Sequence, residues 1–236
     1  MLIRLQAAVE RERDFVADAG HELRTPLALL RTELELALRH GETVEELRDA
    51  VRSSEEEVER LVQLAEDLLL IARTDKGELE LRRERIDVGT LLSSVATRFD
   101  WRAAEAGREI AVHSPPDTFL AGDRLRLEQA LGNLVDNALR HASGTVHLEA
   151  VPGPDGTLEL HVRDEDPGFP PEFLPRAFER FTRNSADRAG RGTGLGLSIV
   201  QTIASAHGGT AAARNRDHHG ADVWITLPDL GASGST

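Results

Sequence analysis

Apolar positions in the N-terminal third of the chain recur every three or four residues, which is the spacing of an amphipathic helix. One such run extends from about Leu5 to Leu38 and a second from about Thr43 to Arg73. Thr43 has the context of a helix N-cap, because Glu46 follows three residues later. The stripes consist of Val16, Gly20, Leu23, Leu27, Leu30, Leu34 and Ala37 in the first run and Leu47, Val51, Ser54, Val58, Leu61, Ala65, Leu68 and Ala72 in the second. Two amphipathic helices are therefore predicted.

These two helices should form a hairpin with its turn at 40–42. A lone hairpin cannot bury both stripes fully, whereas two hairpins can bury them in a four-helix bundle. Residues 1–75 are therefore predicted to be an all-α dimerisation unit, and the chain is expected to be a homodimer.

Beyond Thr74–Gly77, which should end the second helix, the pattern becomes mixed. We expect a linker at 76–82, an α+β two-layer sandwich at 83–229 and a disordered tail at 230–236. Alternating runs predict strands and helical runs predict helices. The strands are expected near Leu79–Arg85, Thr145–Ala150, Leu158–Arg163 and Asp222–Leu227, and the helices near Val88–Ala106, Asp123–His141 and Leu195–His207.

Composition narrows the function classes. The 236 residues include no cysteine, which excludes disulfides, thiolate metal sites and a cysteine nucleophile and agrees with a reducing compartment such as the cytoplasm. The formal net charge of -13, without a basic cluster, argues against a nucleic-acid partner. No apolar run is long enough to span a bilayer, so no membrane contact of this segment is expected.

The segment Gly20-His-Glu-Leu-Arg-Thr-Pro-Leu27 lies in the first predicted helix. His21 follows a stripe position, so its ring should face solvent beside the bundle core. Glu22 can accept the Nδ1 proton and leave Nε2 as the nucleophile. Pro26 removes a helix hydrogen bond at Glu22 and should kink or soften the helix. A lone helix histidine is more often an ordinary surface residue, but these neighbours favour a reactive one.

Asn133 and Asn137 are four residues apart on another predicted helix, so their side chains share one face. Neutral amide oxygens can bind Mg²⁺ without adding charge that repels a triphosphate. A capping or buried polar role is the alternative for this pair.

Two further segments combine turns with backbone donors. Asp164 follows a predicted strand and could accept a hydrogen bond from an amine such as that of adenine, while Gly168 permits close backbone approach. Alone, these residues are also ordinary turn chemistry. Glycines at every second position from Gly190 to Gly196 lead into a helix, an arrangement that can cradle phosphates.

Together these segments resemble the motifs of bacterial sensor histidine kinases over nearly the whole chain. The resembling segments are Gly20–Leu27 for the H-box, Leu131–Arg140 for the N-box, Asp164–Gly168 for the G1 box, Phe178–Phe181 for the F-box and Gly190–Ser198 for the G2 box. The resemblance implies a GHKL-type (Bergerat) ATP-binding domain and an ATP-dependent autokinase.

Within that resemblance, His21 is the phosphorylated residue, Glu22 its base, and a response-regulator aspartate the next acceptor. Thr25 would position water in a reverse, phosphatase reaction, unless it only bonds to its own helix backbone. The catalytic domain would swing about a hinge near 75–79. The resemblance also implies a longer, membrane-anchored parent protein, of which this chain is the cytoplasmic part.

The resemblance further implies ATP and Mg²⁺ as the cofactors, with Asn137 as the metal ligand and 182–190 as a mobile lid. The expected nucleotide contacts are Asn133, Asn137, Arg140, Asp164, Gly168, Arg183, Gly192, Gly194, Gly196 and Leu197. Two positions depart from the family pattern: Gly20 replaces a usual serine, and Asp166 replaces the first G1 glycine. The extra carboxylate is expected to weaken ATP binding.

Two alternatives remain open at the level of sequence. One is a nucleotide-binding signalling scaffold with weak or lost autokinase activity, which Asp166 would favour. The other is an ATPase related to type II topoisomerases and heat-shock chaperones, which share the N-, G1- and G2-type motifs but lack the H-box. The presence of His21 and its neighbours favours the autokinase.

Overall fold

The computed structural model of the chain describes residues 2–40, 43–165, 168–183, 192–217 and 220–228. Its contacts divide the chain into two compact units, Met1–Ala72 and Arg73–Thr236. The helices are α1 (Leu2–His40), α2 (Val44–Asp75), α3 (Val88–Glu105), α4 (Arg124–His141) and α5 (Gly196–Ala206). The strands are β1 (Glu84–Asp87), β2 (Ile110–His113), β3 (Phe119–Gly122), β4 (Val146–Pro152), β5 (Thr157–Arg163), β6 (Thr210–Asn215) and β7 (Ala221–Pro228), and single 3-10 turns lie at Pro154–Gly156 and Leu174–Arg176. None of the described helices combines the length and apolar character needed to cross a bilayer.

The first unit is the predicted helical hairpin. Ser53 Oγ on α2 donates to Glu33 Oε2 on α1 at 3.1 Å, which joins helices that run in opposite directions. The predicted N-cap is confirmed as a reciprocal capping box. Glu46 N–H donates to Thr43 Oγ1 at 3.2 Å, and Thr43 N–H donates to Glu46 Oε2 at 3.1 Å.

The end of α2 agrees closely with the sequence prediction. The helix extends two residues beyond Arg73 and stops at Asp75. Gly77 then adopts a left-handed φ of 71° and donates its N–H to Thr74 O at 2.9 Å. Glycine takes this conformation without the steric penalty of a side chain, so it ends the helix cleanly.

The single hairpin buries a line on α2 that differs from the stripe predicted from the sequence. Glu57, Leu64 and Ile71, seven residues apart, are buried, whereas Val51 and Val58 of the predicted stripe are 64% and 47% exposed. The buried Glu57 carboxylate lies 3.4 Å from Arg60 on the same helix. The large apolar residues left exposed on α2 are Val44, Leu47, Val51, Val58, Val62 and Leu69. An exposed apolar face of this kind is typical of a protein-interaction surface.

The second unit is the predicted two-layer sandwich. Its main sheet has the strand order β2-β4-β5-β7-β6, and only the β2–β4 pair is parallel. Along β4 and β5 every second residue is apolar and buried, and helices α3, α4 and α5 contact the strands of this sheet. A separate two-stranded ribbon pairs β1 with β3.

Strand prediction was incomplete in this unit. The short strands β2 and β3 were missed, and so was β6, whose Ala211-Ala-Ala213 centre has little strand propensity. The strand expected near Leu79–Arg85 was mostly wrong, because regular strand begins only at Glu84. The Arg82 N–H instead donates to Asp123 Oδ2 at 3.0 Å, so a carboxylate replaces a strand partner there.

The opposite face of the sheet carries a cluster of charges. His161 Nδ1 lies 2.7 Å from Asp222 Oδ1 and its Nε2 lies 3.1 Å from Glu159 Oε2, while its ring stacks on Trp224. Burial alone would raise the pKa of Asp222, but the hydrogen bond and charge of His161, with help from Arg163, lower it below its usual value. These contacts join β5 to β7 on the face away from the helices.

A buried histidine connects three parts of the second unit. His207, at the C-terminal end of α5, donates from Nδ1 to Ile203 O at 2.8 Å and accepts the Asp123 N–H on Nε2 at 3.0 Å. Asp123 is the N-cap of α4 and also holds the Arg82 N–H. This arrangement requires neutral His207, and burial lowers the pKa of its imidazole.

We expect His207 to make the stability of the second unit depend on pH. Above its ordinary pKa of 6.5 the residue is neutral in the folded and the unfolded chain. Below that pH the unfolded chain binds a proton that the folded one does not, so the free energy of unfolding falls, by at most about 1.4 kcal/mol per pH unit for one group. Urea unfolding at pH 7.5, 6.5 and 5.5 measures this loss.

The matched comparison is between His207→Gln and His113→Gln, since His113 is exposed on β2. The His207 variant should lose less stability than the native chain on acidification, and the His113 variant should lose as much. An equal pH dependence in all three proteins would contradict the assignment.

Candidate functional site

His21 lies on the surface of α1 in the first unit. Its side chain is exposed, and Pro26 lies within α1 without ending the helix. A Cβ added at Gly20 would meet nothing within 4 Å, so packing in the single chain does not require glycine there. The exposed imidazole is open to an incoming reactant.

Thr25 and Glu22, the residues predicted to act with His21, lie in different surroundings. Thr25 Oγ1 contacts His21 O at 3.4 Å, which is the backbone bond that the sequence offered as an alternative to a water-positioning role. Glu22 is half-buried. Since adjacent helix residues point in different directions, a Glu22–His21 contact requires both side chains to turn toward each other.

The paired asparagines lie on α4, which belongs to the second unit. Asn133 and Asn137 are both half-buried, and Asn133 Nδ2 donates to Gly196 O at 3.4 Å. This contact connects the middle of α4 with the first residue of α5. Among the described residues, the Asn137 side chain has no hydrogen-bond partner, so its amide oxygen is available to a ligand.

Arg140, on the same helix, is engaged in an ion pair. Its Nε lies 2.6 Å from Asp136 Oδ2, and the other oxygen of Asp136 is 2.6 Å from Arg102 Nη1 on α3. Asp136 therefore holds two guanidinium groups. This ion pair uses only Nε of Arg140, so its Nη groups could still contact a phosphate while Asp136 offsets part of the positive charge.

Asp164 follows the last residue of β5 and is buried. Its Oδ1 accepts the Ala221 N–H at 2.7 Å, and its own N–H donates to Ala221 O at 3.1 Å. The carboxylate thus has a fixed orientation beside the start of β7. Gly168 has a φ of 84°, as expected for a glycine in a close turn, whereas Asp166 lies outside the described residues.

The glycine-rich segment leads into α5 as predicted. Gly194 has a φ of 71°, and a Cβ there would lie 2.7 Å from the carbonyl carbon of Phe181. The glycine loop and the Phe178–Phe181 segment therefore meet at a contact that only glycine allows. Gly192 has open space around it.

The N-terminus of α5 has donors for a ligand. The helix begins at Gly196, and no side chain caps it. Unpaired N–H groups and the helix dipole favour an anion at this position. Leu197 is 8% exposed, so its side chain belongs to the core and its backbone is the part that a ligand would reach. Arg183 is described and half-buried, but 184–191, with most of the predicted lid and the first G2 glycine, lie outside the described residues.

Several contacts around Asp164 were not anticipated from the sequence. Arg216 Nη1 donates to Asp164 O at 3.1 Å, and Asn215 pairs with the backbone of Phe169. Gly220, with a φ of 100°, allows Asp164 O to approach closely. The available sequence signal was Gly220, a turn-forming residue just before the predicted strand Asp222–Leu227, and it does not reveal what that turn contacts.

Comparison with known proteins places both units. A family model described as "His Kinase A (phospho-acceptor) domain" matches residues 11–77. Another, described as "Histidine kinase-, DNA gyrase B-, and HSP90-like ATPase", matches residues 122–231. The two matches contain all the site residues predicted from the sequence.

Individual relatives give the same assignment. A "Probable sensor histidine kinase HK" of Mycobacterium tuberculosis (strain CDC 1551 / Oshkosh) is 38% identical over 213 residues, covering 90% of this chain and 52% of the relative. This chain thus spans about half the length of that curated relative. The structure of the Acinetobacter baumannii histidine kinase AdeS matches with a TM-score of 0.75 and 27% identity, over 89% of this chain and 98% of that one.

A third similar protein, ShkA, was solved at full length in complex with AMPPNP. It matches with a TM-score of 0.69 and 29% identity, over 92% of this chain and 46% of that one. The phospho-acceptor hairpin, the ATPase-type sandwich and these relatives agree in both sequence and fold. The chain belongs to the bacterial two-component sensor histidine kinases, with an ATP-binding unit of the GHKL superfamily.

Proposed function

We propose that this chain is the catalytic core of an ATP-dependent autokinase that phosphorylates His21 and passes the phosphoryl group to an aspartate of a response regulator. One observation carries the proposal: the match to the phospho-acceptor domain contains an exposed histidine, His21, and the same chain has an ATPase-type unit. ATP as the donor is supported by ShkA, whose structure contains the ATP analogue AMPPNP.

The chemistry assigned to the first unit is an in-line phosphoryl transfer. His21 Nε2 attacks the γ-phosphorus, a nitrogen–phosphorus bond forms, and the bond to the β–γ bridging oxygen breaks to release ADP. Glu22 accepts the Nδ1 proton. The phosphorus–nitrogen bond is then exchanged for an acyl phosphate on the regulator's aspartate. Thr25 is proposed to orient water in the reverse, phosphatase reaction.

In the second unit, we assign adenine recognition to Asp164 and Gly168, because the Asp164 carboxylate is buried and already oriented. The uncapped start of α5 supports phosphate binding there. The proposed phosphate contacts are Asn133, Arg140, Arg183 and the backbone amides of Gly192, Gly194, Gly196 and Leu197. For transfer to His21, the linker 76–82 is proposed to act as the hinge.

Asn137 fits a Mg²⁺ site. Its amide is half-buried, adds no charge and makes no hydrogen bond to another described residue. Amide oxygens are acceptable ligands for this hard cation, which usually keeps several waters and binds the phosphates as well. When bound, Mg²⁺ would offset the negative charge of the triphosphate. Asn137 would hold the metal side of the nucleotide and Asp164 the adenine side.

The dimer is proposed to form through the exposed apolar face of α2. That face carries six large apolar side chains in the single hairpin, too many for a surface that stays in water. A second copy of the chain offers the same face and completes a four-helix bundle.

A scaffold without autokinase activity remains the alternative. Its sequence argument was Asp166, which lies outside the described residues, and no other proposed catalytic residue is replaced. A pure ATPase related to the topoisomerases and chaperones is disfavoured because the phospho-acceptor match would then have no role.

Incubation with γ-labelled ATP and Mg²⁺ should label His21. The label should be acid-labile and alkali-stable, as expected for a phosphoramidate, and His21→Gln should abolish it. His113→Gln, at another exposed histidine, should retain full labelling. Acid-labile label that persists in the His21 variant would refute the assignment, and no label in the native chain would favour the scaffold.

Asn137→Ala should raise the Mg²⁺ concentration required for half-maximal labelling by about tenfold, because a metal ligand is lost. ADP binding measured in EDTA should stay within about twofold of native, since this residue would act through the metal. Asn133→Ala provides the comparison, because it breaks the contact with Gly196 and should weaken binding with and without metal. Equal losses under both conditions for Asn137→Ala would indicate a structural role.

Sedimentation velocity should give a species of twice the chain mass of 25.8 kDa. Val58→Arg should raise the dimer dissociation constant at least about tenfold, because a buried unpaired charge is strongly unfavourable. Glu59→Arg places the same side chain at the next, exposed position of α2 and should leave the dimer intact. A native monomer, or equal effects of the two substitutions, would contradict this interface.

A further inference from the structure

Asp164, which directly follows β5, is held by Arg216 and Ala221, residues at the adjoining ends of β6 and β7. Arg216 Nη1 donates to Asp164 O at 3.1 Å, and the Ala221 N–H donates to Asp164 Oδ1 at 2.7 Å. A Cβ at Gly220 would lie 2.0 Å from Asp164 O, so the two backbones pack as closely as glycine permits. Asp164 is therefore fixed from one side by residues of the hairpin.

The backbone of Phe169 is held by Asn215, the last residue of β6. Its Oδ1 accepts the Phe169 N–H at 2.8 Å, and its Nδ2 donates to Phe169 O at 2.7 Å. A carboxamide has one acceptor and one donor group, which match a backbone N–H and C=O as a neighbouring strand would. The Asn215 side chain thus pairs with the backbone of Phe169 in the way that a further residue of β6 would.

Gly168, directly before Phe169, packs closely against Asn215 and Gly220. Its φ is 84°, and an added Cβ would lie 2.5 Å from Asn215 Oδ1 and 3.0 Å from Gly220 O. Contacts inside the protein therefore account for the glycine at position 168. No ligand has to approach this residue to explain it.

Asn215 can be changed without opening the core. Its side chain is exposed, and β6 is the edge strand of the sheet. Substitution removes two hydrogen bonds to Phe169 and leaves the buried contacts of β5 and β7 in place.

We propose that Asn215 is a positioning residue of the nucleotide site, which keeps Phe169 and Gly168 at a fixed place relative to Asp164 before any ligand arrives. This inference rests on the proposed role of Asp164 in nucleotide binding. Order that exists in the free protein lowers the entropy lost on binding, so the contact should act on affinity rather than on the transfer step.

The full chain with Asn215→Ala is compared with the native chain and with Thr210→Ala, an exposed residue at the far end of β6. ADP dissociation constants and the KM for ATP should rise about tenfold in Asn215→Ala, while labelling of His21 at saturating ATP stays within about twofold. Amide exchange of the peptide containing Phe169 should become faster in the free protein. Thr210→Ala should match native in every measurement.

A double-mutant cycle with Gly168→Ala tests the contact directly. Removal of the Asn215 carboxamide relieves the 2.5 Å contact of the added methyl group, while the 3.0 Å contact with Gly220 O remains. Gly168→Ala should therefore weaken ADP binding at least about threefold less in the Asn215→Ala background. Equal factors in both backgrounds, or a native KM in Asn215→Ala, would overturn the inference. Failure of the native chain to bind ADP at all would instead refute the proposed function, so the two failures are distinguishable.

Discussion

Burial of one face of the main sheet is the constraint on which the second unit depends. The apolar residues of β4 and β5 need a cover, and α4, which contacts both strands and buries Leu127, Leu131 and Leu134, supplies part of it. Because these positions fix the rotation of α4 about its axis, Asn133 and Asn137 come to lie half-buried at its margin, where Asn133 meets Gly196. The orientation of the polar pair is thus a by-product of hydrophobic packing.

The same packing leaves polar backbone groups without regular partners at the ends of strands and helices. β5 ends at Arg163 and α5 begins at Gly196, so backbone groups there lack regular partners. The protein satisfies those beside Asp164 with the β6–β7 hairpin. At α5 no side chain takes that role, which leaves donors for a ligand.

Long periodic elements were predictable from the sequence, and contacts between distant elements were not. α3, α4 and α5 were anticipated within one residue, since their apolar faces repeat over several turns. β6 could not be recognised, because Ala211 to Ala213 are strand only through pairing with β7. The sequence predicted motif residues for the candidate site, but it did not indicate Asn215, Arg216 or Gly220. Their role arises from a hairpin that returns to Asp164 about fifty residues later in the chain.

The ion pair between Arg140 and Asp136 affects how strongly Arg140 could attract an anionic ligand. The positive charge of a guanidinium that lies 2.6 Å from a carboxylate is already partly offset before a phosphate binds. A phosphate at the Nη groups of Arg140 would share the guanidinium with Asp136, whose other oxygen is held by Arg102. Because the nearby carboxylate already offsets part of the positive charge, such a contact would add less affinity than an unpaired guanidinium would.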